Sequence, residues 1–186
     1  INEYGVSYGE ERPVGTATGK INGHYYVDLG LSSGTKWAVD NINISGSKPH
    51  GDYFAWGETS PKEEYTEENS LTQGLDVSEL QSQGYVDENG NLTPEHDAAT
   101  VNWGGSWRMP TKAEYDELIN KKYYDVYNDS IFTLKGPSGG SIYYYTDGNS
   151  DGDNSIAWYY TSTANKTNTY SGQIVPKFNA KQQGYF

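Results

Sequence analysis

The chain has 186 residues, with 25 acidic and 13 basic side chains and a formal net charge of −12. That length suits one well-buried domain. The charge argues against a nucleic-acid partner, which needs a basic face, and against attraction to an anionic membrane surface. With no cysteine at all, disulfides, thiolate nucleophiles and Cys-ligated zinc are excluded, and no apolar run approaches membrane-spanning length. The chain begins at Ile1, which fits a mature or trimmed form whose targeting segment has been removed.

Residues 1–19 are Gly-rich and polar without sustained periodicity. They read as a leader or linker that adds at most one strand. "HYYVDLGL" (24–31) alternates as a strand does, and "SSGTKWAVDNI" (32–42) is a Ser-Gly turn followed by a second short strand, so 24–42 reads as a hairpin. "GDYFAWGE" (51–58) is aromatic and bounded by glycines, as suits an irregular loop anchored in the core. From Glu58 to Asp97 there are eleven acids against the single Lys62. This acidic insert, about residues 60–95, reads as a solvated surface region, mostly loop, with a two-strand excursion around Tyr85-Val86 and the DENGN turn.

"TPEHDAATVNW" (93–103) predicts a helix, with Thr93 as cap, Pro94 at the first position and Glu95 at the positive end. Ala98, Ala99 and Val101 are small enough to pack closely. A second helix opens at Thr111. Glu114 stands three residues later, the spacing of a capping box, and Tyr115, Leu118 and Ile119 supply the apolar face. A capping-box glutamate is already satisfied, which makes Glu114 a poor catalytic acid. Beyond it the pattern is β, with strands expected at 130–135, 141–146, 156–162 and 172–179. Strands, two short helices and a run of further strands make an α+β domain.

Chemistry is sparse. His24, His50 and His96 are the three histidines, and none sits in a nucleophile context. "DGNSDGDNS" (147–155) is the candidate metal segment. Asp147, Asn149 and Asp151 fall at the first, third and fifth positions of a calcium loop, with Gly152 at the sixth. Trp158 stands where the bidentate glutamate belongs, so another carboxylate such as Asp153 would complete the shell. The same residues equally suit a plain Gly-Asn-Asp turn. The last third is also rich in Tyr and Asn. Tyr143, Tyr145, Trp158, Tyr160, Asn165, Asn168, Tyr170, Lys177 and Asn179 are the candidate ligand-binding residues. Aromatic faces stack on sugar rings and amides bond hydroxyls, yet Tyr also has high β propensity. A glycan and a protein partner fit equally.

Four blocks appear in order: "VDLGLSSGTKWAVDN" (27–41), "GDYFAWGET" (51–59), "HDAATVNWGGSWRMPTKAEYDELI" (96–119) and "WYYTST" (158–163). Through them residues 20–186 resemble the Fibrobacter succinogenes major paralogous domain, common in surface and secreted proteins of Bacteroidetes. That family is similar in fold to C-type lectins, to the formylglycine-generating enzymes and to the variable proteins of diversity-generating retroelements. The resemblance implies a C-type-lectin-like fold, with two helices flanking a small twisted sheet and long C-terminal loops presenting a binding face. It implies Trp103 and Trp107 in the core, and Arg108 pinning a loop through carbonyls or a carboxylate. The cysteine-dependent copper chemistry of the formylglycine branch does not carry over to a chain without cysteine. The chain departs from the family in its longer acidic insert. It also ends on Gly184-Tyr185-Phe186, where the family pattern adds a short Val-Arg-Pro-Val-type strand.

The resulting expectation is a non-enzymatic, extracellular or cell-surface ligand-binding domain with a glycan or protein partner and calcium as the candidate ion. The alternatives are a retroelement-diversified receptor-binding protein, an extracellular glycan-active enzyme with two paired carboxylates, and a structural module of a larger surface protein.

Overall fold

The computed structural model describes residues 17–43, 51–119, 124–128, 131–145 and 161–164. They form an α+β arrangement of short helices and two small antiparallel sheets.

The first sheet is a meander of β1 (Gly19–Ile21), β2 (His24–Asp28) and β3 (Lys36–Ala38). Asn22 and Gly23 join β1 to β2 with φ of 46° and 89°. Two consecutive left-handed residues make the two-residue turn whose twist matches paired strands, which is why Asn-Gly stands there. On the core face Val27 lies opposite Trp37, and Leu29 and Leu31 continue the buried row beyond β2.

Three α-helices follow. α1 (Val77–Ser82) lies within the acidic insert, where mostly loop was expected. Asp76 accepts from the Glu79 N–H, and the Glu79 carboxylate accepts from the Asp76 N–H, so a capping box starts this helix. Leu80 is its buried anchor. The expected two-strand excursion in the insert is present as a single bridge between Val86 and Leu92.

The helix expected from Thr93 divides in two. Pro94–His96 is one 3-10 turn, and α2 (Ala98–Trp103) begins afresh with Asp97 as its cap. Thr93 does not cap because its hydroxyl donates to the Gly84 carbonyl (2.9 Å). Val101 does not pack as expected. It is 51% exposed, because it lies two residues from both Ala99 and Trp103 and so opposite the buried stripe they define.

α3 (Lys112–Leu118) starts at the Thr111–Glu114 capping box as expected. Its Tyr115 and Leu118 close the main core with Val27, Leu29, Leu31, Trp37, Leu134 and Ile142. Leu134 and Ile142 come from the second sheet, the meander β4 (Tyr124–Asn128), β5 (Ile131–Lys135) and β6 (Ser141–Tyr145). β4 was not among the expected strands; β5 and β6 were.

The β5–β6 turn joins the two sheets. Ser138 donates its N–H to the Leu29 carbonyl (3.1 Å) and its hydroxyl to the Asp28 carbonyl (2.7 Å). A Cβ on Gly136 would lie 2.1 Å from the Leu29 carbonyl oxygen, so only glycine permits this approach. A second, smaller core gathers Trp56, Leu80, Val86 and Leu92, and Trp56 bears out the anchoring role expected of 51–58. Among the described residues, no helix is long and apolar enough to cross a membrane.

Candidate functional site

Among the described residues, Arg108, Glu114, Asp97, His96 and His24 are each held in scaffold contacts. Arg108 grips Glu114 through both nitrogens, at 2.8 Å and 2.6 Å, and donates to the Met109 carbonyl at 3.1 Å. Glu114 also accepts from the Thr111 N–H (2.9 Å) and from the Thr35 hydroxyl (3.1 Å). One carboxylate therefore caps α3, locks the Arg108 loop and ties down the β2–β3 connection. The Arg108 guanidinium, with help from Thr111, pulls its carboxyl from 4.5 down to about 2 against the opposing effect of burial. A group ionised that completely has no proton to donate near neutral pH. The guanidinium is raised in turn by the same contact.

Asp97 is 3% exposed. One of its oxygens accepts from the Thr100 N–H (2.9 Å) and the other from the Met109 N–H (2.8 Å). It joins the start of α2 to the Arg108–Pro110 strand of chain. His96 meets the Gly57 carbonyl through Nδ1 (3.1 Å) and packs against the Tyr85 ring. His24 stacks on Trp103 with ring centroids 4.2 Å apart, and burial, followed by Lys20, lowers its affinity for a proton. Trp103 and Trp107 are buried edge to face, and the Trp107 indole donates to the Ile21 carbonyl (2.8 Å). This stack of aromatic rings fastens β1–β2 to α2.

The candidate binding face lies on the second sheet. Leu134 and Ile142 are paired across β5 and β6, and both point into the core. Strand alternation therefore turns Thr133, Lys135, Ser141 and Tyr143 to the outer face, where Thr133 pairs with Tyr143 and Lys135 with Ser141. Tyr143 is half-buried and Lys135 is exposed. Position 145 pairs with Ile131 at the end of β6. Lys135, a cation beside Tyr143, was missed in the sequence. Its signal was the cross-strand register, which an isolated strand does not disclose.

The segment Thr161–Ala164 is held on several sides. The Trp56 indole donates to the Thr161 carbonyl (2.9 Å), and the Ser162 N–H donates to Pro110 (2.8 Å). Leu92 donates to the Ser162 carbonyl and Ala164 donates to Gly90, both at 2.8 Å. The Lys112 N–H at the start of α3 donates to the Thr163 hydroxyl (3.0 Å).

Of the expected ligand-binding set, Tyr143 is placed on this face, and Tyr145 is the last residue of β6. Trp158, Tyr160, Asn165, Asn168, Tyr170, Lys177 and Asn179 lie outside the described residues, as do His50 and the candidate calcium ligands Asp147, Asn149, Asp151 and Asp153. The strands expected at 156–162 and 172–179 fall there too, apart from Thr161 and Ser162, which are not in a strand. Among the described residues, no three His, Asp or Glu side chains form a group that could hold a metal ion.

No protein-family model, no curated protein and no solved structure matches the chain.

Proposed function

We propose that the chain is a non-enzymatic ligand-binding domain of C-type-lectin-like organisation, secreted or displayed at a cell surface. Its Tyr- and Asn-rich C-terminal part meets a glycan or a protein. The observation that carries this reading is the two-sidedness of β5–β6. Leu134 and Ile142 anchor one face in the core, while Thr133, Lys135 and Tyr143 stand on the other. An aromatic ring flanked by a hydroxyl and an ammonium suits stacking on a sugar or capping a peptide. Trp158, Tyr160 and the candidate calcium residues follow β6 directly in the sequence. The resemblance in sequence to the major paralogous domain adds the fold and the extracellular setting to the reading.

The test is a glycan-array screen of the purified chain in calcium and again in EDTA. Binding in calcium alone, lost on Asp147→Ala and Asp151→Ala, makes the domain a calcium-dependent lectin. Binding in both conditions assigns recognition to the aromatic face and leaves 147–155 as a turn. Absence of any glycan binding directs the search to a protein partner. A hydrolysed glycan would refute the non-enzymatic reading.

A further inference from the structure

The acidic insert contains one cation, Lys62, and its surroundings differ from those of every other ion-paired lysine among the described residues. Lys36 and Lys112 each meet an exposed aspartate. Lys62 instead meets Glu58, whose side chain is 7% exposed, at 2.6 Å. The same Nζ lies 3.3 Å from the carboxamide oxygen of Asn69 and also donates to the Asn69 backbone carbonyl. An amine, a carboxamide and a buried carboxylate are thus gathered at one point.

The carboxamide is held in place by the loop around it. Its oxygen accepts from the Thr66 N–H (3.2 Å), and its nitrogen donates to the Glu64 carbonyl (2.9 Å). The Asn69 N–H donates to the Thr66 hydroxyl (3.3 Å). Lys62 is fixed at its backbone, which donates to the Tyr65 hydroxyl (2.9 Å), and Tyr65 in turn donates to the Tyr53 carbonyl. The second Glu58 oxygen accepts from the Leu71 N–H (2.9 Å). The three groups are therefore held close together before any reaction, which raises the effective concentration of amine at the carboxamide, and Nζ has only to turn from the carboxamide oxygen to its carbon.

The geometry points to a spontaneous isopeptide bond between Lys62 Nζ and Asn69 Cγ, with Glu58 as the proton relay. The Lys62 ammonium passes a proton to Glu58, and the freed nitrogen lone pair attacks Asn69 Cγ. The charge that develops on the carboxamide oxygen is met by the Thr66 N–H. Collapse breaks the Cγ–Nδ2 bond. Two protons leave Nζ in all and arrive on the departing nitrogen, which leaves as ammonium, and Glu58 ends as it began. No oxidant, metal or second substrate enters. The product is a covalent ring closing the loop from residue 62 to residue 69 at the base of the acidic insert.

The test is intact-mass measurement of the full chain, followed by peptide mapping. The expected result is a mass one ammonia below that of the sequence, or a lighter fraction that grows on incubation, with a digest fragment joining Lys62 to Asn69. Lys62→Arg keeps the charge but cannot form the amide and should restore the sequence mass. Glu58→Gln should slow or stop the mass loss, and if that variant does not fold, Asn69→Ala serves the same purpose. A wild-type chain that retains its full mass overturns the proposal. So does an ammonia loss that persists in Lys62→Arg or that maps to Asn22-Gly23 or Asn89-Gly90.

Discussion

Replacing Gly136 by alanine tests how the two sheets are joined. The added Cβ would lie 2.1 Å from the Leu29 carbonyl oxygen and 2.5 Å from the Leu29 Cβ, where real Cβ contacts stay above 3.0 Å. The β5–β6 turn must therefore lift by about 1 Å, and the obstacle is backbone rather than a side chain that could swing away. That movement breaks the two hydrogen bonds from Ser138 to Leu29 and Asp28, each worth about 1 kcal/mol net. Overpacking adds about 1–3 kcal/mol, so the expected loss is about 3–5 kcal/mol. Gly139 is the control. It lies in the same turn with φ of 85°, and a Cβ there meets nothing within 4 Å. Gly139→Ala should cost only the left-handed penalty, about 1–2 kcal/mol. Urea unfolding followed by tryptophan fluorescence measures both variants. A Gly136→Ala loss no larger than that of Gly139→Ala would refute the joint.

Further outcomes follow from individual side chains. The Glu114 carboxyl titrates at about 2 when folded and near 4.5 when unfolded, so its stabilisation is complete above 4.5 and is lost as pH falls towards 2. Arg108 is half exposed, and solvent screening brings the contribution to about 1–2 kcal/mol; Glu114→Gln should flatten the acid limb of a stability-against-pH curve by that amount. Trp56→Phe and Trp107→Phe each strand a carbonyl that now accepts from an indole and should cost about 1–3 kcal/mol. Trp37 is different, because its buried indole N–H has no partner among the described residues, so Trp37→Phe should cost less than either in the same unfolding assay. Asp97→Ala leaves the Thr100 and Met109 N–H groups unmet; a loss of about 2–4 kcal/mol is expected, and calorimetry showing less than 1 kcal/mol would contradict the role given to Asp97.

Local rules carried the sequence reading a fair way. The Thr111–Glu114 box, the 24–42 hairpin and the buried Trp56 depend on spacing or on bulk, whereas the burial of Trp103 and Trp107 was implied by the family resemblance. Two equally local signals were overlooked. Asn22-Gly23 marks the β1–β2 turn, and Asp76 with Glu79 marks the start of α1. Thr93 misled because its neighbours fit a helix start, while a long-range acceptor, the Gly84 carbonyl, took its hydroxyl. What no local pattern discloses is partnership across the chain. Glu114 reaches Thr35 across 79 positions, and Trp56 reaches Thr161 across 105. The outer face holding Tyr143 and Lys135 likewise follows from strand register, which is set by pairing and by the core on the other side.

The most direct test of the binding account is to run wild-type and Tyr143→Ala proteins side by side on the glycan array, with urea unfolding of both. The account predicts at least about a tenfold loss of binding, about 1.4 kcal/mol, with little change in the unfolding midpoint. Undiminished binding by a folded Tyr143→Ala protein would contradict it and remove the outer face of β5–β6 from recognition.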